Sequence, residues 1–297
     1  MDSLVSIPRA AVRSIALIRT QVPEEHPSSE MLGEERTGTG VAVSPNQILT
    51  VHYLLMGATS IEVVGYDGKP HEVSRVSVDL DSGLGLIEVK DSSLHPARLA
   101  REPVLPGLPV FILTHAEPDE RRGATGHVSS VGEFEAFWEY MLDDAITTTA
   151  INPGLAGAPL FDREGRVIGI VALSLSGVAR YTMAVPVSHF LAHRQEMERG
   201  DQARAMPPRA WVGLYVHGQE GGVVVVGAVA AGPADLAGIV RGDVIISVDG
   251  EPVSDLRQFY DRLWQRRPGD AVGLKLLRDS DIHLIEVAAG DRYEFYL

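Results

Sequence analysis

The sequence predicts a mostly β chain organised as two domains, and three observations carry that expectation. Short apolar runs bounded by Gly, Pro, Asn or Asp recur along it, with 30 Gly and 18 Pro among 297 residues. So many turn-formers suit β-hairpins rather than a helical bundle. The length is more than one core comfortably fills. Finally, residues 200–208 mix charge, Gly and Pro and read as a linker between two strand-rich regions.

Composition removes several function classes. A net charge of −14 sets the chain against nucleic-acid partners, because phosphate neutralisation takes clustered Lys and Arg. Without Cys there is no disulfide, thiolate metal site or cysteine nucleophile, and nothing in the sequence asks for a metal or another cofactor. No apolar run reaches the ~20 residues of a membrane span. The residues after Met1 lack the basic, apolar and small-residue order of a secretory signal. The expected location is therefore the cytoplasm if Met1 is native, and the periplasm if the N-terminus was trimmed.

In chain order, a short helix from Pro8 leads into an apolar strand, Ser14 to Arg19, and Gln21 to Arg36 reads as an acidic loop. Thr37 to Ser44 is a glycine-opened strand that turns at Ser44-Pro45 towards Ile48-Leu49-Thr50. Val76 to Val89, Val110 to Thr114 and Arg122 to Val131 supply further strands. Gly132 to Asp144, rich in aromatic and acidic residues, reads as a hairpin with one buried face. Thr147 to Ala150 enters a Gly- and Pro-bearing loop, Asn152 to Phe161. Strands at Val167 to Leu173 and Tyr181 to Val187 follow, and Ser188 is the expected cap of a helix running to about Arg199.

Beyond the linker, Pro233-Ala234 starts a short helix that Gly238 ends, and Asp249-Gly250 makes a hairpin turn. Ser254 is the expected cap of a helix over Asp255 to Gln265, in which Leu256, Phe259, Tyr260 and Leu263 fall at helical spacing. Val272 to Leu277 and Ile282 to Val287 complete the set of strands.

Several of these stretches resemble, in order and spacing, the HtrA (Deg) branch of the trypsin-like serine proteases. Gly154-Leu155-Ala156-Gly157-Ala158-Pro159-Leu160 is similar to that family's Gly-Asn/Asp-Ser-Gly-Gly-Pro-Leu nucleophile turn, with Ala156 where the serine stands. Thr37-Gly38-Thr39-Gly40 followed by Ile48-Leu49-Thr50 resembles the segment leading to the catalytic histidine. Tyr53 falls at that position, and His52 lies one residue early, which in an extended segment would turn it to the opposite face. Val76 to Val89 resembles the strand bearing the triad aspartate, and Gly83 takes its place, with Asp79 and Asp81 nearby. Trp211-Val212-Gly213-Leu214, Ala231 to Ile239, Arg241 to Ile245 and Val248-Asp249-Gly250 resemble a PDZ domain of the bacterial HtrA type.

Over residues of about 10–290, the resemblance implies a trypsin-like double six-stranded β-barrel at residues 8–199, the linker, and an α+β PDZ domain at residues 209–292. Hydrolysis by such barrels takes a hydroxyl nucleophile, an imidazole base and an orienting carboxylate. Tyr53, Gly83 and Ala156 supply none of them, so the resemblance implies an inactive homologue, a pseudoprotease, with the Gly154 and Ala156 amides as a residual oxyanion pocket. It also implies that Trp211, Val212, Gly213 and Leu214 form a carboxylate loop. An extended C-terminal peptide would then add as a strand in a groove faced by Leu256, Phe259 and Tyr260; the plain alternative for Leu256 and Phe259 is a place in the core. The expected function is binding of polypeptides or partner proteins, as scaffold or regulator.

Two alternatives stay open. One is a hydrolase with a rearranged nucleophile and base, drawn from Ser129, Ser130 or Ser174 with His52 or His127. The other is a purely structural adaptor whose barrels form an assembly surface. The family's usual trimer is anchored by aromatic residues near the start of its protease domain, and residues 1–40 contain no Phe, Trp or Tyr. A monomer or a differently built oligomer is therefore expected.

Overall fold

The computed structural model describes residues 8–175, 181–200 and 207–297. The chain divides into two compact units: Met1–Glu133 with Asp143–Ala205, and Phe134–Leu142 with Met206–Leu297. Most of the predicted linker, residues 201–206, lies outside the described residues.

The first unit is built on two sheets. One runs in the order Pro70–His71, Ser60–Val64, Ile15–Gln21, Glu35–Ser44, Gln47–Val51, Leu84–Val89, Val73–Asp79. The other runs Pro159–Asp162, Pro109–Glu117, Glu120–Ala136, Tyr140–Thr148, Tyr181–Pro186, Arg166–Leu175, Arg98–Leu99, and Pro159–Asp162 pairs back onto Arg166–Leu175 to close the ring. Among the described residues each sheet thus has six strands of four residues or more and one two-residue edge strand, the double-barrel architecture expected from the resemblance. Leu17, Ile18, Val41, Ile48 and Leu49 on the strands of the first sheet, and Ile112, Ile146, Leu160 and Val171 in the core of the second, are all fully shielded from solvent. Burying each such side chain contributes roughly 1.5–3 kcal/mol.

Three local expectations are corrected. The loop before Glu35 contains a short helix, Ser29–Leu32. The strand expected at Arg122 to Val131 extends over Glu120–Ala136. The helix Val187–Arg199 starts directly after Pro186, so Ser188 lies inside its first turn and caps nothing. Proline at the boundary sets φ for helix entry and has no N–H of its own to satisfy.

In the second unit one sheet runs Leu214–Gln219, Gly222–Ala228, Val244–Val248, Ala271–Arg278, Asp281–Ala288, with Glu251–Pro252 paired to Val244–Val248. Asp249 and Gly250 have φ of 50° and 82°, the pair of left-handed residues that a tight two-residue hairpin between Val248 and Glu251 requires. Asp255, one residue after the expected Ser254, caps the helix Leu256–Leu263 by accepting from the Gln258 amide at 2.8 Å. Its carboxylate also answers the positive end of the helix better than a hydroxyl does. Val212, Val216, Val225, Ile245, Phe259 and Leu274 belong to a single core. Among the described residues no helix is long and apolar enough to cross a membrane.

Candidate functional site

Positions 52–54 form a 3-10 turn, His52–Leu54, so the expected alternation of an extended segment does not operate there. Successive side chains in such a turn point about 120° apart, which sends His52 and Tyr53 to different partners. The His52 Nδ1 lies 2.9 Å from the Gly83 carbonyl, which also accepts from the His52 amide at 2.9 Å. A backbone carbonyl thus faces the His52 imidazole. Tyr53 donates its hydroxyl to the carbonyl of Ala172 at 2.5 Å. Burial pushes its pKa above the ordinary phenol value, so it stays protonated and acts as a donor, the reverse of what a general base must do.

Asp79, fully buried, accepts from the Ser82 hydroxyl at 2.6 Å and the Asp81 amide at 3.1 Å. It stabilises the turn into Gly83, whose φ is 82°. The loop around Ala156 is held from below: the Ala156 carbonyl accepts from Thr39 N at 2.8 Å, and Gly157 donates to Val171 O at 2.8 Å. A Cβ on Gly157 would come within 2.1 Å of Thr50 Oγ1 and 2.3 Å of Thr39 O, so only glycine fits this approach. The Gly154 amide, expected as a residual oxyanion donor, is engaged by Asn152 Oδ1 at 3.2 Å. Ser129, Ser130 and Ser174 are exposed on strands, and the Nδ1 of His52 faces the Gly83 carbonyl.

In the second unit, the amides of Val212, Gly213 and Leu214 converge on one carboxylate. Its owner is Glu139: Gly213 N and Leu214 N donate to Oε1 at 2.7 and 2.9 Å, and Val212 N donates to Oε2 at 3.3 Å. Three successive amides can point one way because Gly213 adopts φ 75°, a conformation that costs L side chains energy. A Cβ there would also approach the Trp211 ring at 3.1 Å. The rest of Glu139 is equally well held, its amide donating to the Tyr260 hydroxyl at 3.0 Å and its carbonyl accepting from Arg292 Nη1 at 2.9 Å. Two residues earlier, the Phe137 carbonyl accepts from Val216 N at 2.7 Å, on the edge strand of the sheet. The Phe137 ring packs near Tyr215 and His217, and the Tyr260 hydroxyl donates to Ala136 O at 2.6 Å. Glu139 is only 2% exposed. Burial pushes its pKa up, against the amides and Arg292 that pull it down, to about 7.

Of the residues expected in this groove, Val212, Gly213 and Leu214 do supply the amides. Trp211 does not: its amide donates to Gly290 O and its carbonyl accepts from Gly290 N, while its ring packs on Phe295 and Tyr296. Leu256 and Phe259 are buried and belong to the core cluster of this unit; Tyr260 is fully buried, and its hydroxyl accepts from the Glu139 amide. Glu139, Phe137 and Arg292 were not anticipated. The signal that could have found them is Phe137-Trp138-Glu139-Tyr140 at a hairpin end, where Gly, Asn or Asp normally stand.

Two β-barrel sheets followed by an α+β unit define a trypsin-like peptidase fold joined to a PDZ domain. Comparison with known families agrees: residues 38–170 match the trypsin-like peptidase domain and residues 210–288 the PDZ domain. A probable periplasmic serine endoprotease, DegP-like, of Chlamydia pneumoniae is 26% identical over 276 residues, covering 89% of this chain and 56% of that protein. Its counterpart in Pseudomonas fulva is 27% identical over 279 residues, covering 85% and 55%. The chain thus spans little more than half the length of these relatives. Among solved structures, the HtrA-type protease AlgW with a decapeptide is similar with TM-score 0.58 and 23% identity, covering 96% of this chain and 97% of that one. The serine endoprotease of Yersinia pestis aligns with TM-score 0.58 and 22% identity, covering 95% and 96%. The chain is homologous to the DegP/HtrA serine proteases.

Proposed function

We propose that this HtrA-like chain is a non-catalytic member of its group that binds polypeptides or partner proteins through its PDZ groove, as scaffold or regulator. The observation that carries the reading is the set of three successive amides, Val212 to Leu214, within 2.7–3.3 Å of a single carboxylate. Such a nest of N–H groups beside an edge strand has the chemistry to read a peptide C-terminus added as a strand. The peptide bound to AlgW supports the same use of the fold.

For the barrels, Tyr53, Gly83 and Ala156 provide neither nucleophile, base nor orienting carboxylate, and an oxyanion site alone forms no acyl-enzyme. The domain limits that fit this reading are residues 8–199 for the barrels and 209–292 for the PDZ domain. The names of the relatives, periplasmic endoproteases, favour the periplasm as the working compartment. The test is exposure of the chain to a fluorophosphonate probe and to casein. No labelling and no turnover are expected; stoichiometric labelling of Ser129, Ser130 or Ser174 would overturn the non-catalytic reading and restore a hydrolase.

A further inference from the structure

We infer that the hairpin tip Phe137-Trp138-Glu139 is an internal ligand of the PDZ groove, and that external C-terminal peptides bind only by displacing it. The inference rests on the peptide-binding reading and adds who holds the groove when no peptide is present.

The tip reproduces a bound C-terminus group by group. The Glu139 side-chain carboxylate takes the amide nest that a terminal carboxylate would take. The Phe137 carbonyl takes the edge-strand amide of Val216 two residues upstream, the pairing through which an added strand is held. Because the carboxylate sits on a side chain, the main chain can turn away after it, and Glu139 does so at φ 54°. A left-handed glutamate is costly, and here its amide, its carbonyl and its carboxylate are all paired inside the groove. A surface turn with no binding role has no reason to place an acidic residue in that conformation and then bury it.

The tip is tethered, being the end of the strands Glu120–Ala136 and Tyr140–Thr148, so it competes at an effective concentration of order mM. An external peptide therefore meets a groove that is open only part of the time, and its apparent affinity falls by that fraction. The ligand able to compete has the same chemistry in better form: an extended segment with a free C-terminal carboxylate and an apolar or aromatic residue two positions before it.

The experiment uses the intact chain and its Glu139→Ala variant, titrated by fluorescence anisotropy with labelled free-acid decapeptides ending in Phe-Ala-Val, Phe-Ala-Leu and Phe-Ala-Phe. Hydrogen exchange is followed at Val212 to Leu214 and at Val216. The expected result is that peptide-free wild type protects these amides. Glu139→Ala should speed their exchange at least about 10-fold and tighten peptide binding by a similar factor, with exchange in Ala271–Arg278 unchanged as a control for folding. Equal peptide affinities in the two proteins would overturn the internal-ligand inference and leave the peptide-binding reading standing. Binding by neither, with the amides freed in the variant, would overturn that reading and the inference with it.

Discussion

Tyr260→Phe separates tip docking from domain stability, because the hydroxyl serves the tip and the ring serves the core. The ring is fully buried and stacks on Trp264 at a centroid distance of 5.0 Å, and phenylalanine keeps that packing. The hydroxyl donates to Ala136 O at 2.6 Å and accepts from Glu139 N at 3.0 Å. Burial, with Glu139 beside it, pushes the phenol pKa up, so it remains a donor at all working pH values. Removing it leaves two backbone groups unpaired in the docked state, whereas in the undocked state both reach water. At about 1 kcal/mol for each neutral hydrogen bond, docking should weaken by roughly 2 kcal/mol, about 30-fold in its equilibrium constant. The assay is amide exchange at Gly213, Leu214 and Val216, alongside the thermal midpoint of the domain. Faster exchange at those three with a nearly unchanged midpoint is expected. Unchanged protection, or a loss spread equally into Ala271–Arg278, would refute the assignment of the hydroxyl to the tip.

Further outcomes follow from the same geometry. Ala156→Ser alone should give no casein turnover, because the base and carboxylate are also missing; robust proteolysis by that single variant would contradict this. The pKa of Glu139, raised from its ordinary value to about 7, means that the docked tip binds more protons than the free one, so docking is strongest in acid and weakens as pH rises through 7. With Arg292, Tyr260 and Tyr296 as the charged or titratable groups around it, intrinsic-rate-corrected protection of Gly213 should fall between pH 5.5 and 8. It should stay flat in Glu139→Gln, and a rise with pH in the wild type would reverse the sign. Gly157→Ala, which forces a left-handed alanine against Thr50 Oγ1 and Thr39 O, should lower barrel stability by roughly 2–4 kcal/mol in denaturant unfolding; a neutral effect would mean that the loop relaxes freely.

Local chemistry made most of the fold legible. Turn residues marked hairpins such as Asp249-Gly250, whose left-handed backbone is what that pair favours, and alternating apolar runs marked the barrel strands. Propensity pointed to Ser254 as the cap of the helix, but the side chain that reached the Gln258 amide was that of the next residue, Asp255. The resemblance set Tyr53, Gly83 and Ala156 against the triad positions, but it did not reveal the 3-10 turn that sends His52 to Gly83 and Tyr53 to Ala172. The groove's donors were legible only through the resemblance of Trp211-Val212-Gly213-Leu214 to a carboxylate loop, and the structure adds the left-handed Gly213 that lets the three amides converge. Its occupant was not, since hairpin periodicity in residues 132–144 says that one face is buried and nothing about which distant surface buries it.

The most direct test of the central claim, a carboxylate-reading groove on a chain without protease chemistry, is calorimetry with one decapeptide in two forms, free acid and C-terminally amidated. It is run on the intact chain carrying Glu139→Ala so that the amide nest is open. The free acid should bind, and amidation should weaken binding at least about 10-fold, because the amide lacks the charge that Val212, Gly213 and Leu214 are oriented to receive. Equal affinity for the two forms would contradict the account.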